Sequence, residues 1–335
     1  MSVKKYALDP GADQMRLCGP DGTIYTQASY IAVRNKGETI AAGDEAAALF
    51  EKASPDIRVC RPFKEGPSDT KEAVHLLKYT IHGSGIDAPL LKNTAFYIAA
   101  AHKASSVQLR TLSMLAESFG VRHTRVFLIP KPVAAAAGAD INVHAPSGCL
   151  IADLGASFTE LSVVSLGEVA DSTLLHDGGS GIDMEIIETV RSHFNFQIGT
   201  KTACALKTAL ADARGDTPLK AMAAYGKNLQ TGLPGCTQIP AGLICESVRG
   251  YYDRVVTEIR LLLERISPEL TSDVIRGGLY LTGGMALVPN AAAFFSSQLR
   301  MPAHLCPSPG ETVIRGLYKL MTQKQPVRIN SQEYL

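Results

Sequence analysis

The sequence predicts an α/β protein of two similar halves with a ligand held between them. Three observations carry that expectation. Apolar strand-like runs alternate with helical ones along the 335 residues, which is the pattern of mixed or largely parallel sheets. Two of the runs stop at the same kind of turn, Asp9-Pro10-Gly11 and Asp153-Leu154-Gly155, and each restarts as a meander. A third run, Gly278 to Thr282, stops at Gly283-Gly284. A carboxylate beside a glycine can hold a hydrated cation while bare backbone N–H groups approach a phosphate. A duplicated unit with its ligand between the copies is the simplest architecture that fits this spacing.

The elements follow in order. Tyr6 to Gly11 is a strand running into a turn, Met15 to Cys18 restarts it, and Gly19-Pro20-Asp21-Gly22 turns the chain into Thr23-Ile24-Tyr25. Ser29 to Val33 is a further strand, and Ala42-Gly43-Asp44 leads a helix from Glu45 to Lys52. Thr70 to Ile81 places Ala73, Leu76, Leu77 and Ile81 on one helical face. Thr94 to Ala100 is a buried strand, and Ser105 to Gly120 a helix ended by its glycine. Val126 to Ile129 is a strand; Pro132 to Gly138 is a helix of small residues with proline in its first turn. After Asp153 the pattern predicts a meander over Val163 to Leu175, a loop from Asp177 to Gly181 and a helix from Ile182 to Phe194. Thr200 to Leu210 and Ala241 to Arg265 read as helices, the second starting after Pro240. A strand at Leu279 and helices over Asn290 to Leu299 and Thr312 to Gln323 complete the order.

Composition narrows the function classes. The hydrophobic fraction is 46% and the charged fraction 19%, an ordinary globular balance. A net charge of +1 with scattered basic residues argues against a nucleic-acid partner. Seven cysteines show no CxxC pair and no metal-ligand spacing with the eight histidines, and read as reduced, mostly buried thiols. The chain opens on Met-Ser-Val-Lys-Lys-Tyr, which does not read as a secretory leader. No apolar run approaches the ~18 residues of a membrane-spanning helix. A cytoplasmic location is expected.

Val126 to Gly138, Ala152 to Gly179, Gly199 to Lys207 and Leu279 to Val288, taken together and in that order, resemble the MreB family of rod-shape-determining bacterial actins. The likeness runs from about residue 5 to residue 322, and Ala42 to Ala46 with Arg61-Pro62-Phe63-Lys64-Glu65-Gly66 is similar to the family's small first-half subdomain. The resemblance implies a duplicated actin-like (ribonuclease H-like) α/β fold of two lobes with a nucleotide cleft. The first lobe would span 1–145 with an insertion at about 33–68, and the second 146–311 with an insertion at about 181–240. A C-terminal helix and tail, 312–335, would return to the first lobe. The resemblance further implies ATP with Mg²⁺ in the cleft, and polymerisation into membrane-associated filaments that guide cell-wall synthesis. Partners would be further copies of the chain, other subunits of the MreB type and cell-shape membrane proteins.

Residue by residue, Thr282, Gly283, Gly284 and Met285 match the turn that holds the adenosine. Lys207 matches a helix residue near the base, although a glutamate expected two residues on is Ala209. Asp153 and Gly155 match the second phosphate turn, and Gly178 and Gly179 the loop beside the ribose, where an expected aspartate is Ser180. Asp9 and Gly11 match the first phosphate turn, and Asp9 and Asp153 would hold Mg²⁺ through water. Thr159, in the second turn, and Lys131 stand at catalytic positions.

Departures gather on the catalytic side. The family's Asp-Leu-Gly-Thr-Ala-Asn-Thr is here Asp9-Pro10-Gly11-Ala12-Asp13-Gln14-Met15. The hydroxyls are gone, and Asp13 puts a negative charge where phosphate is expected; like charges repel by ~1 kcal/mol at 4 Å even in water. Ala156 and Phe158 replace a glycine and a threonine of the second turn. Lys131 replaces the glutamate that polarises the attacking water, and a charged lysine accepts no proton. Lys131 reads as a solvated residue, a charge partner for Asp9 or Asp153, or a phosphate ligand in place of magnesium. ATP hydrolysis is therefore expected to be weak or lost, and a pseudo-actin scaffold or regulator of a filament-forming relative is the alternative. A sugar or acetate kinase on the same fold lacks a candidate phospho-acceptor site. Leu90 and Leu91, within Pro89-Leu90-Leu91-Lys92, lie where some family members carry an apolar pair that enters the inner face of the membrane. The bland reading is a loop packed on its own subdomain.

Overall fold

The computed structural model describes residues 3–35, 37–66, 71–85, 94–117, 125–215, 220–323 and 333–334. The chain forms two compact units. The first takes Met1–Ser147, Ser162–Ser172 and Gly310–Leu335, and the second Gly148–Leu161 and Thr173–Pro309.

The first unit opens with β1 (Lys4–Pro10), β2 (Gln14–Cys18), β3 (Ile24–Ala28), β4 (Ile31–Arg34) and β5 (Thr39–Ala42). Then come α1 (Asp44–Leu49), β6 (Ile57–Cys60), α2 (Lys71–Gly83), β7 (Thr94–Ala100), α3 (Ser106–Glu117), β8 (Arg125–Pro130) and α4 (Lys131–Gly138). The middle of the chain runs through β9 (Cys149–Leu154), β10 (Thr159–Ser165), β11 (Glu168–Leu175), α5 (Gly179–Phe194), β12 (Phe196–Gln197), α6 (Thr200–Leu210), β13 (Ala221–Asn228) and β14 (Pro234–Pro240). It continues with α7 (Ala241–Arg265), α8 (Pro268–Gly277), β15 (Leu279–Thr282), α9 (Ala291–Leu299) and β16 (Ala303–Leu305). The chain closes with α10 (Thr312–Thr322) and β17 (Glu333–Tyr334) in the first unit.

The two large sheets share one pattern. The first has the order β17-β8-β7-β1-β2-β3, the second β11-β10-β9-β15-β16. In each, three consecutive strands follow one another, and two later strands join beside the first of them; the first sheet adds β17, antiparallel to β8, at its edge. Those later strands run parallel: β7 to β1 and β8 to β7 in one sheet, β15 to β9 and β16 to β15 in the other. Small antiparallel sheets, β5-β4-β6 and β12-β13-β14, are inserted in the respective units. This is the duplication the two Asp-x-Gly turns announce.

Burial explains the strands. β9 is buried at all six positions, as a central strand between β10 and β15 must be. Tyr6 and Leu8, Met15 and Leu17, Phe96 and Ile98, and Val126 and Leu128 recur at period two and meet Leu76, Leu77 and Ile81 of α2 in one core. The helices α4 and α10 also pack against this sheet. Their crossing is backbone on backbone: a Cβ on Gly316 would overlap the Ala134 carbonyl, and one on Gly138 would overlap that of Thr312. Lys319 then caps the end of α4, its Nζ donating to Ala137 O at 3.1 Å and to Asp140 Oδ1 at 2.7 Å. In the second unit, α7 buries Ile244, Val248, Tyr251, Val255, Ile259 and Leu262 at helical spacing.

Several elements differ from the sequence expectation. α1 stops at Leu49 rather than Lys52, because Phe50 leaves the helical region and Glu51 takes φ 61. α5 starts at Gly179 rather than Ile182, since the glycine loop itself winds into the first turn. The hairpin β13–β14 is not anticipated: its residues are small and half exposed, without the β-branched alternation that marks a strand. α8 is also missed, although Ser267 caps it by accepting from Leu270 N at 3.3 Å and Pro268 opens it. The end of the predicted helix at Gly120 and the apolar pair Leu90-Leu91 lie outside the described residues.

The seven cysteines form no disulfide; Cys18, Cys149, Cys245 and Cys306 are buried, while Cys204 and Cys236 are exposed. Burial, reinforced by Asp21 in one case and by Asp153 in the other, pushes Cys18 and Cys306 from 9.0 up to about 11. Raised folded values mean that the stability tied to these protonated thiols is present below pH 9 and is lost as pH rises toward 11. Urea unfolding at pH 8 and pH 10.5 is expected to give the lower stability at the higher pH. A thiol reagent on the folded protein should label Cys204 and Cys236 and spare Cys18 and Cys306 until urea is added.

Candidate functional site

In the first unit the turn between β1 and β2 is closed on itself. Gly11 N–H donates to Asp9 O at 3.0 Å, and a Cβ on Gly11 would overlap the Gln14 carbonyl, so only glycine fits. Ser29 braces the turn, its hydroxyl donating to Gly11 O at 2.7 Å and its N–H to Asp13 O at 2.8 Å. Arg61 does so more strongly: Nε and Nη2 both donate to Ala12 O, at 3.1 and 2.9 Å. The same guanidinium pairs with Asp13 at 3.5 Å and lies 5.3 Å from the Tyr30 ring centre. Asp13 is thus matched by a cation rather than left facing the turn uncompensated. Asp9, 5% exposed, pairs with Arg16 at 3.8 Å. Of the two charge partners expected for Lys131, the first therefore already faces a different cation. Lys131 itself is half-buried and opens α4 directly after Pro130.

In the second unit β9 delivers Asp153, 7% exposed, to the turn at Gly155. Gly155 N–H donates to Phe158 O at 3.0 Å, and a Cβ there would stand 2.7 Å from that oxygen. The glycine loop is zipped onto this turn: Gly179 N–H donates to Gly155 O at 3.0 Å and Ser180 N–H to Ala156 O at 2.7 Å. A Cβ on Gly178 would come within 2.6 Å of the Gly155 carbonyl oxygen. Asp177 steers the loop by accepting from Gly178 N at 2.8 Å and from Arg254 Nη2 at 2.8 Å. Thr159 is fully buried; its hydroxyl bonds Asp177 O at 2.9 Å and the Tyr251 hydroxyl at 2.5 Å. Burial drives the Tyr251 phenol well above its ordinary range, so the pair stays neutral. Tyr251→Phe is expected to cost about 1–2 kcal/mol in urea unfolding, the size of a buried hydrogen bond left half-made.

Around that loop the remaining predicted residues gather. A Cβ on Gly179 would touch Lys207 Nζ and Met285 Sδ, each at 3.3 Å. Lys207 Nζ donates to Gly179 O at 2.5 Å, and Met285 O accepts from the Tyr252 hydroxyl at 2.6 Å. Gly283, at φ 86, stands so that a Cβ would come 2.8 Å from Asp153 Oδ1. Thr282 fixes the turn from the other side through Pro309 O at 2.8 Å. A Cβ on Gly284 would meet nothing within 4 Å, so this point of the turn faces open space. Asp153, Gly155, Gly178, Gly179, Lys207, Thr282, Gly283, Gly284 and Met285 therefore share one neighbourhood of one unit. Asp9, Gly11 and Lys131 belong to the other unit.

Sequence reasoning missed Asp183. Its carboxylate pairs with Lys207 Nζ at 2.7 Å, the two side chains 9% and 10% exposed. It supplies the negative charge whose absence at Ser180 and Ala209 is noted above. Its position one turn beyond Gly179 on α5 is the only signal in sequence. Arg16 and Arg61 were missed as well, because their roles depend on strand pairing.

The model for the MreB/Mbl protein family matches residues 4–328. This chain belongs to the MreB/Mbl family. It is 27% identical to the cell shape-determining protein Mbl of Bacillus subtilis over 297 residues, 88% of each chain. The solved structure of MreB5 of Spiroplasma citri bound to ADP is 26% identical, with a TM-score of 0.88 over 94% of this chain and 95% of that one. A MamK double helical filament shares the fold at 18% identity, with a TM-score of 0.80 over 97% of this chain and 100% of that one. Like these structures, the chain has the duplicated actin-type fold of the MreB proteins.

The residues fit the two parts of a magnesium nucleotide unequally. The open point at Gly284, the bare loop at Gly178 and Gly179, and the neutralised Lys207 suit a nucleoside. The first turn does not suit a hydrated magnesium ion at Asp9, whose carboxylate already faces a guanidinium. Among the described residues no three His, Cys, Asp or Glu side chains cluster as metal ligands.

Proposed function

We propose that this chain is an MreB-type bacterial actin: a filament subunit of the cell-shape machinery that binds ATP and hydrolyses it weakly or not at all. The observation that carries the reading is the convergence of Gly178, Gly179, Lys207, Gly283, Gly284 and Met285 beside Asp153. The second unit would hold the nucleoside on its glycine backbone, with Thr159 buried as a brace of the ribose loop. Lys131, standing for the family's glutamate, would leave water unactivated. The lobes at 1–145 and 146–311 and the returning helix and tail at 312–335 are the working boundaries. Self-association, co-assembly with related subunits, and a cytoplasmic position at the inner face of the membrane belong to the same reading. No described helix is long and apolar enough to cross a membrane. Membrane contact would be made by Leu90 and Leu91, and two leucines suffice only through a filament's multivalency.

Calorimetry with Mg-ATP, phosphate release and sedimentation of polymer test the proposal together. Binding and polymer are expected. Phosphate release should be slower than in a relative carrying glutamate by about 100-fold or more, the weight of one general base. Turnover at the relative's rate, abolished by Asp153→Ala, would sink the claim of lost hydrolysis. A second reading, a pseudo-actin that regulates a related filament, is favoured by the self-bonded first turn, where Arg61 holds Ala12 and Asp13. Absence of homopolymer together with co-sedimentation with an MreB-type partner would select it.

A further inference from the structure

β14 is the outer strand of the second unit's small sheet, whose order is β12-β13-β14. Its sequence, Pro234-Gly235-Cys236-Thr237-Gln238-Ile239-Pro240, carries no charge, and five of its seven residues are exposed. An exposed edge without charges is a template for another strand. The register fixes which backbone groups this edge offers. Asn228 N–H donates to Leu233 O at 2.9 Å and Ala241 N–H to Lys220 O at 2.8 Å. Between them Ala221 to Lys227 lie opposite Pro240 to Pro234. Hydrogen-bonded positions alternate along an antiparallel pair, so Gly235, Thr237 and Ile239 bond inward to β13. Pro234, Cys236, Gln238 and Pro240 therefore turn their backbone groups outward. Both prolines stand at outward positions, where the missing N–H costs the sheet no bond. Among the described residues β14 pairs with no strand but β13, and the outward N–H groups of Cys236 and Gln238 meet no backbone acceptor.

This pattern is its own complement. A second β14 laid antiparallel and centred on Thr237 sets Cys236 opposite Gln238 of the second copy, and Gln238 opposite Cys236. Every outward N–H then meets an outward carbonyl. At either end Pro234 faces Pro240, and neither has an N–H to leave unmet. We propose that β14 is an interface between two copies of this chain, joined edge to edge about a two-fold axis into one continuous sheet. Such a contact uses the same patch on both copies and closes at two, whereas a filament contact repeats. The inference goes beyond the function proposed above and does not depend on nucleotide binding.

The test is sedimentation velocity of the full chain over a range of concentrations, without nucleotide and in reducing buffer. Wild type is expected to show a monomer–dimer equilibrium at roughly tens of micromolar, as suits a small interface. Cys236→Lys with Gln238→Lys puts lysine opposite lysine, and should weaken the dimer by about tenfold or more. Cys236→Lys with Gln238→Glu puts lysine opposite glutamate, and should hold the dimer within about threefold of wild type or tighten it. Cys236→Pro with Gln238→Pro removes the two outward donors, leaves the bonds to β13 in place, and should be monomeric. Circular dichroism melts establish that each variant is folded; if the proline variant is not, the two charge variants decide. A wild type that stays monomeric, or equal association by the two charge variants, overturns the inference. So does an open series of polymers that the paired lysines leave unchanged.

Discussion

Replacing Gly316 by valine should unfold the first unit at temperatures the parent chain survives. The reason is geometric. A Cβ at Gly316 would overlap the carbonyl oxygen of Ala134, and the neighbouring contact, Gly138 on Thr312, is as close. Both obstructing atoms are backbone, so no side chain can rotate away, and α10 would have to lift off α4. Overpacking of this kind costs about 3 kcal/mol, a large share of a domain's stability. Lifting α10 also removes the cap that Lys319 places on α4, the helix that Lys131 begins. Urea unfolding followed by far-UV circular dichroism reads the loss. Gly242→Ala and Gly277→Ala are the controls: a Cβ at either meets nothing within 4 Å, and both are helical. They are expected to be neutral or to stabilise by about 0.5–1 kcal/mol, because alanine restricts the unfolded chain. Equal losses at Gly316 and Gly242 would refute the close crossing.

Asp183→Ala is expected to cost about as much, about 3 kcal/mol, and to damage the nucleotide site as well. Lys207 and Asp183 are nine-tenths buried and 2.7 Å apart, and the same Nζ holds the carbonyl of Gly179. Removing the carboxylate leaves a buried ammonium with one neutral partner, which is the costly half of a broken pair. Removing both charges together leaves none stranded, so Asp183→Ala with Lys207→Met should recover part of the stability. Stability recovered without recovery of ATP binding would identify Lys207 as holding the ribose loop in shape. A double variant no more stable than Asp183→Ala would mean the pair is not coupled.

The elements that sequence reasoning places well are those whose period is set by a deep core. β7 and α7 begin and end where their apolar pattern does. The elements it misses are edge and insertion pieces such as β13, β14 and the short α8. Their residues are half exposed, and pairing partners far along the chain decide their conformation. The candidate site divides in the same way. Its glycines are legible because a turn pressed against backbone excludes every other side chain. Gly155, Gly178 and Gly283 all meet carbonyl oxygens where a Cβ would go.

Charge is where sequence reading falls short. From the sequence, Asp13 looks like a repulsion in a phosphate turn, Lys131 like a solvated residue, a charge partner for Asp9 or Asp153 or a phosphate ligand, and Lys207 like a helix residue near the base with Ala209 where a glutamate is expected. The structure pairs Asp13 with Arg61, Asp9 with Arg16 and Lys207 with Asp183. Two of these partners are distant or across a hairpin, and the third is on another helix, so no local pattern announces them. The sequence by itself determined the α/β class, the duplication and the glycine turns, because hydrophobic period and backbone sterics act over a few residues. The tertiary structure decided which cation answers which carboxylate, because Coulomb pairing depends on distance in space and on burial, and neither is written in local order.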